Sequence, residues 1–365
     1  MVVHSGEQVS RFFALDLQNQ YYKYHMTAEA KSIIGKLQYS QDAAFQSESR
    51  KFWKEHTGHS IHTIWHDYYS SVNGIRDVRY VPENFFYAYI EPFYNRKDFA
   101  PCCDDKCYYS ERFPASALPA GASRPKTILR NISGMFFTED FQILRPAEAA
   151  ARLSSCRDGY VVKESITGSG GNRIVFVGAG EQRSEDEIFS IFQRYKKDFV
   201  VESLIQQCDE LAAFNPSSVN TIRLITFMDN AGVHILSGCL RIGSENAKTD
   251  NFSTGGIACG ILEDGTLKDY AFDGKYHKYS VHPNGRPFAG RRIPNYEAVK
   301  GLACALHRRF GHFRIISWDI AVSPSYAPVL IEFNLTPQSI DLHQINNGPL
   351  FGPLTEQVLK EVFGV

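Results

Sequence analysis

The sequence predicts a mixed α/β chain of the α+β type. Apolar, β-branched runs recur in pairs joined by turn residues, as at Asp229-Asn230-Ala231-Gly232 and at Ser323-Pro324-Ser325-Tyr326-Ala327-Pro328. Stretches of helical period stand between those pairs, the clearest being Ser184–Lys196 with Ile188, Phe189, Ile191 and Phe192 on one side. The first hundred residues read as mainly helical and rich in Tyr and Phe. At 365 residues the chain is long enough for two or three domains with a sizeable core.

Composition narrows the function classes. The chain is 43% apolar and 22% charged, ordinary for a soluble globular enzyme. A net charge of −1 gives no general attraction to nucleic acid or to a membrane surface. The charge is uneven, however. Ala271–Arg314 holds nine Lys/Arg against two Asp/Glu, with four His, a segment that either faces an anionic substrate or is simply solvated. The eight cysteines sit mostly as single residues in apolar runs, as buried free thiols do, which points to a reduced, cytoplasmic setting. The one cluster, Cys102-Cys103-Asp104-Asp105-Lys106-Cys107, lacks the second pair that a zinc site needs. No long apolar core suggests a signal peptide or a membrane span.

Along the chain, residues 5 to 55 have helical spacing, first through Phe12, Phe13, Leu15, Leu17, Tyr21 and Tyr22, then through Ala28–Leu37. His56, His59, His62 and His66 would line one side of a helix, but a single helix cannot wrap four ligands around one metal. Residues 75 to 115 predict irregular packing that leads into a helix near Asp104 or Asp105. Lys126–Ile132 predicts a strand and Pro146–Leu153 a short helix. Tyr160–Val162 and Ile174–Val177 predict a hairpin around the glycine-rich tip Thr167–Asn172. Because a strand follows those glycines, neither a P-loop nor a dinucleotide fingerprint is present. Such a tip is either an ordinary turn or a set of backbone N–H groups for a phosphate, with Lys163 adding charge at its root.

Phe199–Ile205 is the next strand. Ser217–Phe227 and His234–Ile242 follow, each with one arginine, Arg223 and Arg241, inside an apolar run. Such a charge requires a partner or a ligand. Asp250–Gly256 is a polar loop, Ile257–Leu262 and Leu267–Phe272 a hairpin, Pro294–Arg309 a helix with Gly311 at its end, and Phe351–Val365 a closing helix. Within Arg314–Gln338, Asp319, Glu332 and Asn334 interrupt two otherwise apolar strands. Glu332 and Asn334, two apart, share a face, and hairpin pairing brings Asp319 onto it. Hard oxygen donors in that arrangement suit Mg²⁺, while a strand cap and a solvated edge are the plainer reading.

Taken in order, these features resemble the ATP-grasp superfamily, which includes carboxylate–amine ligases such as D-alanine–D-alanine ligase. They are most similar to its sugar-transfer associated branch. SSVNTIRLITF, DNFSTGG, HPNG, WDI and LIEFNLTPQ carry the resemblance, over roughly residues 100 to 345. It implies an ATP-grasp fold with two α+β subdomains gripping ATP. The boundaries implied are 1–100 for the N-terminal region, 101–205 for the subdomain with the glycine-tipped hairpin, and 206–365 for the subdomain with the metal site and acceptor loop.

The resemblance also implies roles. Lys106 and Lys163 lie on ATP phosphates, and Ser169, Gly170 and Gly171 close over the triphosphate. Glu202 meets the adenine amino group, the Ser203–Leu204–Ile205 backbone the adenine edge, and Asp209 or Glu210 the ribose. Asp319, Glu332 and Asn334 hold Mg²⁺, for which Mn²⁺ would substitute. Arg241 neutralises the transferring phosphate, and Arg223 lies near it or near the acyl acceptor. Asn251, with the Gly255 and Gly256 amides, holds the tetrahedral oxyanion. The acceptor loop falls in Lys275–Arg292, with Lys275, His277, Lys278, His282, Arg291 and Arg292 available. The implied activity is an ATP- and Mg²⁺-dependent carboxylate–amine ligase working through an acyl phosphate, in sugar, polysaccharide or natural-product biosynthesis. The alternatives are a kinase acting on a hydroxyl and a non-catalytic nucleotide-binding protein. The implied partners are ATP and a small anionic or amino-bearing substrate, with room for a homodimer.

Overall fold

Two antiparallel sheets form the frame of the computed structural model, which describes residues 17, 20, 21, 24–166, 173–244, 247–250, 252 and 255–365. The first sheet contains β1 (Thr127–Ile132), β2 (Met135–Phe137), β3 (Ile143–Leu144), β4 (Tyr160–Glu164), β5 (Val175–Val177) and β6 (Phe199–Ser203). Its spatial order is β3-β2-β1-β6-β4-β5. Helices Pro146–Ser154 and Glu185–Tyr195 cover it, burying Ala149, Leu153, Ile188 and Phe192 against Leu129, Val162 and Phe199. The second of these helices starts where it does because Ser184 and Glu187 form a reciprocal capping box.

The second sheet contains β7 (Thr221–Asp229), β8 (Gly232–Ile242), β9 (Ile257–Ile261), β10 (Leu267–Asp273), β11 (Lys278–Tyr279), β12 (Ile315–Val322) and β13 (Pro328–Asn334). They run in the order β11-β10-β9-β8-β7-β12-β13. Every residue of β12 is buried. Helix Tyr296–His307 packs Val299, Leu302 and Leu306 on one face of the sheet, beside Leu224, Ile316 and Trp318. The opposite face takes the aromatic N-terminal segment, where Phe85, Phe86, Ile90 and Tyr94 meet Ile225, Phe227 and Ile315. A strand covered on both sides reads as a continuous apolar run, as the sequence does here.

Buried amides fasten that N-terminal segment. Asn95 Nδ2 donates to the carbonyls of Ile315 (2.7 Å) and Leu335 (2.8 Å), and its Oδ1 accepts from the Ile315 N–H at 3.0 Å. Gln344, on helix Ile340–Asn347, bonds both the N–H and the C=O of Val81 at 2.8 Å. These side chains serve backbone groups that would otherwise be buried without partners.

Several boundaries differ from the sequence expectation. The four histidines do not share a helix. Helix Ala43–Thr57 stops at Gly58, which adopts φ 72°, so His56 and His66 belong to different helices. His66 is buried against the Val78 carbonyl, and burial lowers its pKa to about 4. The helix expected from Pro294 begins at Tyr296, because Asn295 takes a left-handed conformation. It ends at Arg308, before Gly311. The closing helix is Thr355–Phe363. The part of the first predicted helix before residue 17 lies outside the described residues. Among the described residues, no helix is long and apolar enough to cross a membrane.

Asn95→Ala removes the partner of the Ile315 N–H and the Leu335 carbonyl, while the Ile315 carbonyl keeps Gln338. The expected loss is about 3 kcal/mol, at roughly 1–3 kcal/mol for each buried group left unsatisfied. A denaturant midpoint measured beside the surface control Arg145→Ala checks it.

Candidate functional site

The centre of the site is set by strand register. Asp319 on β12 lies opposite Arg223 on β7 and opposite Glu332 on β13. Arg223 in turn lies opposite Cys239 on β8. Arg241 is two residues beyond Cys239, so it shares that face. Arg223 grips Asp319 with two bonds, Nε to Oδ1 at 2.5 Å and Nη2 to Oδ2 at 2.8 Å. Arg241 Nη1 reaches both oxygens at 3.2 and 3.3 Å, and its Nη2 lies 3.5 Å from Asp250. Thr221 donates to Asp250 from the adjacent strand position. All four charged groups are buried or nearly so, two cations against two anions, which is the balance that burial demands.

Burial alone would raise the Asp319 pKa. Arg223 and Arg241 outweigh it and hold the carboxyl at about 2. It is therefore ionised throughout the neutral range. Burial likewise opposes the charge on Arg241, but Asp250, Asp319 and Glu332 keep it cationic.

The flanks bring in the first sheet. Lys106 Nζ lies 3.6 Å from Glu332 Oε2, and the Lys106 backbone N–H donates to Ser165 just beyond β4. Lys163 on β4 and Glu202 on β6 pair at 2.7 Å, with Glu202 buried. Tyr109 is buried where the charges of Glu332, Asp104 and Glu202 all act on it. Asp104 was not anticipated. Burial pushes its pKa up to about 6, against Lys106, while Glu332 adds to the rise.

Of the other predicted residues, Ser203 ends β6, and its N–H is already bonded to the Lys126 carbonyl. Leu204 and Ile205 follow, half-buried. Asp209 opens a short helix and is exposed, whereas Glu210 accepts a 2.6 Å bond from Tyr326. Ser169, Gly170, Gly171 and Asn251 lie outside the described residues. In the basic segment, Lys278, His282 and Arg292 are bound to the carbonyls of Val72, Gly243 and Asp264, and His277 to Asp273. Those side chains hold the fold together locally rather than turning to the arginines. Tyr276 does turn inward.

Tyr276 helps line a cavity of about 370 Å³ that reaches Arg223 and Arg241. Glu83 and Asp341 line it too, and the sequence reading passed over both. The available signal was a carboxylate within an aromatic run, Tyr80–Tyr94, and another three residues after Gln338.

The donor set fits a hard divalent cation. Among the described residues no three His, Cys, Asp or Glu side chains form a metal cluster. The candidate set is instead two carboxylates, Asp319 and Glu332 at paired positions, with the amide of Asn334 one alternation further along β13. The Asn334 Nδ2 is buried without a partner. Two carboxylates and an amide oxygen leave coordination positions for water and phosphate, as Mg²⁺ prefers.

The family model for sugar-transfer associated ATP-grasp proteins matches residues 86–360, the family expected from the motifs. None of the curated proteins compared with the chain matches it. Among solved structures, an L-amino acid ligase from Bacillus licheniformis is similar at a TM-score of 0.40 and 13% identity, covering 70% of this chain and 48% of that one. The VanG D-Ala:D-Ser ligase from Enterococcus faecalis is similar at 0.43 and 14%, covering 72% and 61%. The D-cycloserine synthetase DcsG is similar at 0.41 and 12%, covering 72% and 71%. The chain thus spans about half to three fifths of the length of the first two.

Because Asp319 balances two buried guanidiniums, Asp319→Ala should destabilise the protein by about 3 kcal/mol or more, the range for breaking a buried pair. Arg223→Met added to Asp319→Ala should recover part of that loss. A double-mutant cycle from denaturant melts measures both, and strict additivity would show that the pair is not coupled.

Proposed function

We propose that this chain, which belongs to the sugar-transfer associated ATP-grasp family, is an ATP- and Mg²⁺-dependent ligase that joins a carboxylate to an amine through an acyl phosphate. The observation that supports this best is the buried Arg223–Asp319–Arg241 cluster, with Glu332 and Lys106 at its edge. Phosphoryl transfer asks for fixed positive charge around the transferring group and for little covalent help from the protein.

In this reading Lys106 and Lys163 bind ATP phosphates, and the Ser169–Gly171 tip lies over them. Glu202 takes the adenine amino group, Ser203–Ile205 the adenine edge, and Asp209 the ribose, since Tyr326 already engages Glu210. Asp319, Glu332 and Asn334 would hold Mg²⁺, which supplies charge neutralisation at the phosphates when bound. Glu202 keeps the Lys163 ammonium extended along β4 before nucleotide arrives, so little side-chain entropy remains to be lost on binding. Arg241 stabilises charge on the transferring phosphoryl group. Arg223 orients the carboxylate that receives it. Asn251 and the Gly255 and Gly256 amides hold the oxyanion formed when the amine attacks the acyl phosphate. The amide then forms as phosphate leaves. The family description supports a role in sugar, polysaccharide or natural-product biosynthesis.

The test is a hydroxylamine trap. Protein, ATP, Mg²⁺ and a panel of carboxylic acids should yield ADP and an acyl hydroxamate. Glu332→Ala and Lys163→Met should each lower kcat/KM about 10²- to 10³-fold, the usual cost of one electrostatic contact at a developing charge. A phosphorylated alcohol without hydroxamate, or unchanged turnover in both variants, would overturn the assignment.

A further inference from the structure

The cavity beside the arginines carries charge of both signs. Arg223 and Arg241 line it. So do Glu83, at the start of a short helix, Asp341, in the first turn of helix Ile340–Asn347, and Glu29. Glu83 is 7% exposed. Its Oε1 accepts from Trp65 at 2.9 Å, and Asp341 Oδ2 accepts from the Tyr276 hydroxyl at 3.1 Å.

These bonds are all neutral. Of the other buried carboxylates, three have a cation, and Asp67 is bonded to Gln46 and Thr63. Asp319 has two arginines, Glu202 has Lys163 at 2.7 Å, and Glu91 has Lys97 at 2.7 Å. Among the described residues no Lys, Arg or His stands within ion-pair distance of Glu83 or Asp341. A pair of acids buried this way is costly unless something else supplies the charge. Burial first, and then the charge of Asp341, raises the Glu83 pKa well above the carboxylate range; burial raises Asp341 as well.

Arg241 Nε is buried with no partner among the described residues. Tyr87 and Tyr276 line the same cavity. The volume falls in the range of sites for small molecules.

We propose that this cavity binds an amino acid as its zwitterion, with the ammonium against Glu83 and Asp341 and the carboxylate against Arg223 and Arg241. The acid activated by ATP is then an amino-bearing one. This rests on the ligase reading and narrows its substrate class. Glu83 and Asp341 act as recognition residues and take no part in the bond-forming step.

The experiment uses the whole chain with MgATP and hydroxylamine. It compares matched probes: L-alanine and β-alanine with propionate, 4-aminobutyrate with butyrate, and L-glutamate with glutarate. At least one amino acid should give hydroxamate with a kcat/KM tenfold or more above its desamino partner. Glu83→Gln and Asp341→Asn should each cut that ratio at least tenfold, mainly through KM. Glu83→Gln keeps an acceptor for Trp65 and buries no charge, so it should melt no lower than the wild type and keep the melting shift that MgADP induces. Hydroxamate from desamino acids with no amino preference, or a ratio unmoved in both variants, would overturn this inference and leave the ligase reading standing. No hydroxamate from any acid, together with no melting shift from MgADP, would overturn both.

Discussion

The electrostatics of the molecule turn on Asp319. It lies at the centre of a strand buried along its whole length, where an isolated carboxylate would be intolerable. Two arginines from neighbouring strands make it tolerable, and in doing so they become buried themselves. Removing Asp319 leaves Arg223 without its carboxylate and Arg241 with Asp250 alone. The cluster also fixes what the surroundings can be. Glu332 and Asn334 on the next strand inherit their positions from that register, and Lys106 reaches Glu332 at 3.6 Å. The site is therefore a property of how four strands pair, and its precision comes from backbone hydrogen bonds rather than from loops.

The N-terminal segment is part of that arrangement. Its aromatic side chains fill the face of the second sheet opposite helix Tyr296–His307, and Asn95 binds backbone groups of β12 directly. The family match begins at residue 86, yet Trp53, Ile61, Val81 and Phe85 belong to the same apolar cluster as Ile225 and Ile315. Burial of large rings in such a cluster is worth roughly 1.5–3 kcal/mol for each side chain.

Much of this was legible from sequence. The hairpin β12–β13 could be read because its apolar alternation is broken only at Asp319, Glu332 and Asn334, and because the turn between the strands is rich in Ser and Pro. Arg223 and Arg241 were legible as charges that had to be paired, though not that they pair with Asp319. That fact depends on β7 lying between β8 and β12, a long-range pairing that local pattern does not encode. The histidine run misled because spacing was read through Gly58, whose left-handed conformation ends the helix. Net charge reports what the basic segment carries but not where it points: Lys278 and Arg292 satisfy carbonyls, whereas Tyr276 lines the cavity. Glu83 and Asp341 escaped notice because residues more than 250 positions apart leave no local signature of sharing a cavity.

The pair of hydrogen bonds between Gln344 and Val81 has a geometric consequence. Val81 is two residues before Glu83, and Gln344 is three after Asp341, so the two acids sit on segments bolted to each other through a buried amide. Helix Ile340–Asn347 in turn packs closely on β9, where a side chain on Gly260 would strike Asn347. On the amino-acid reading proposed above, a cavity walled in this way would measure the separation of charges along its ligand and reject by length as well as by chemistry.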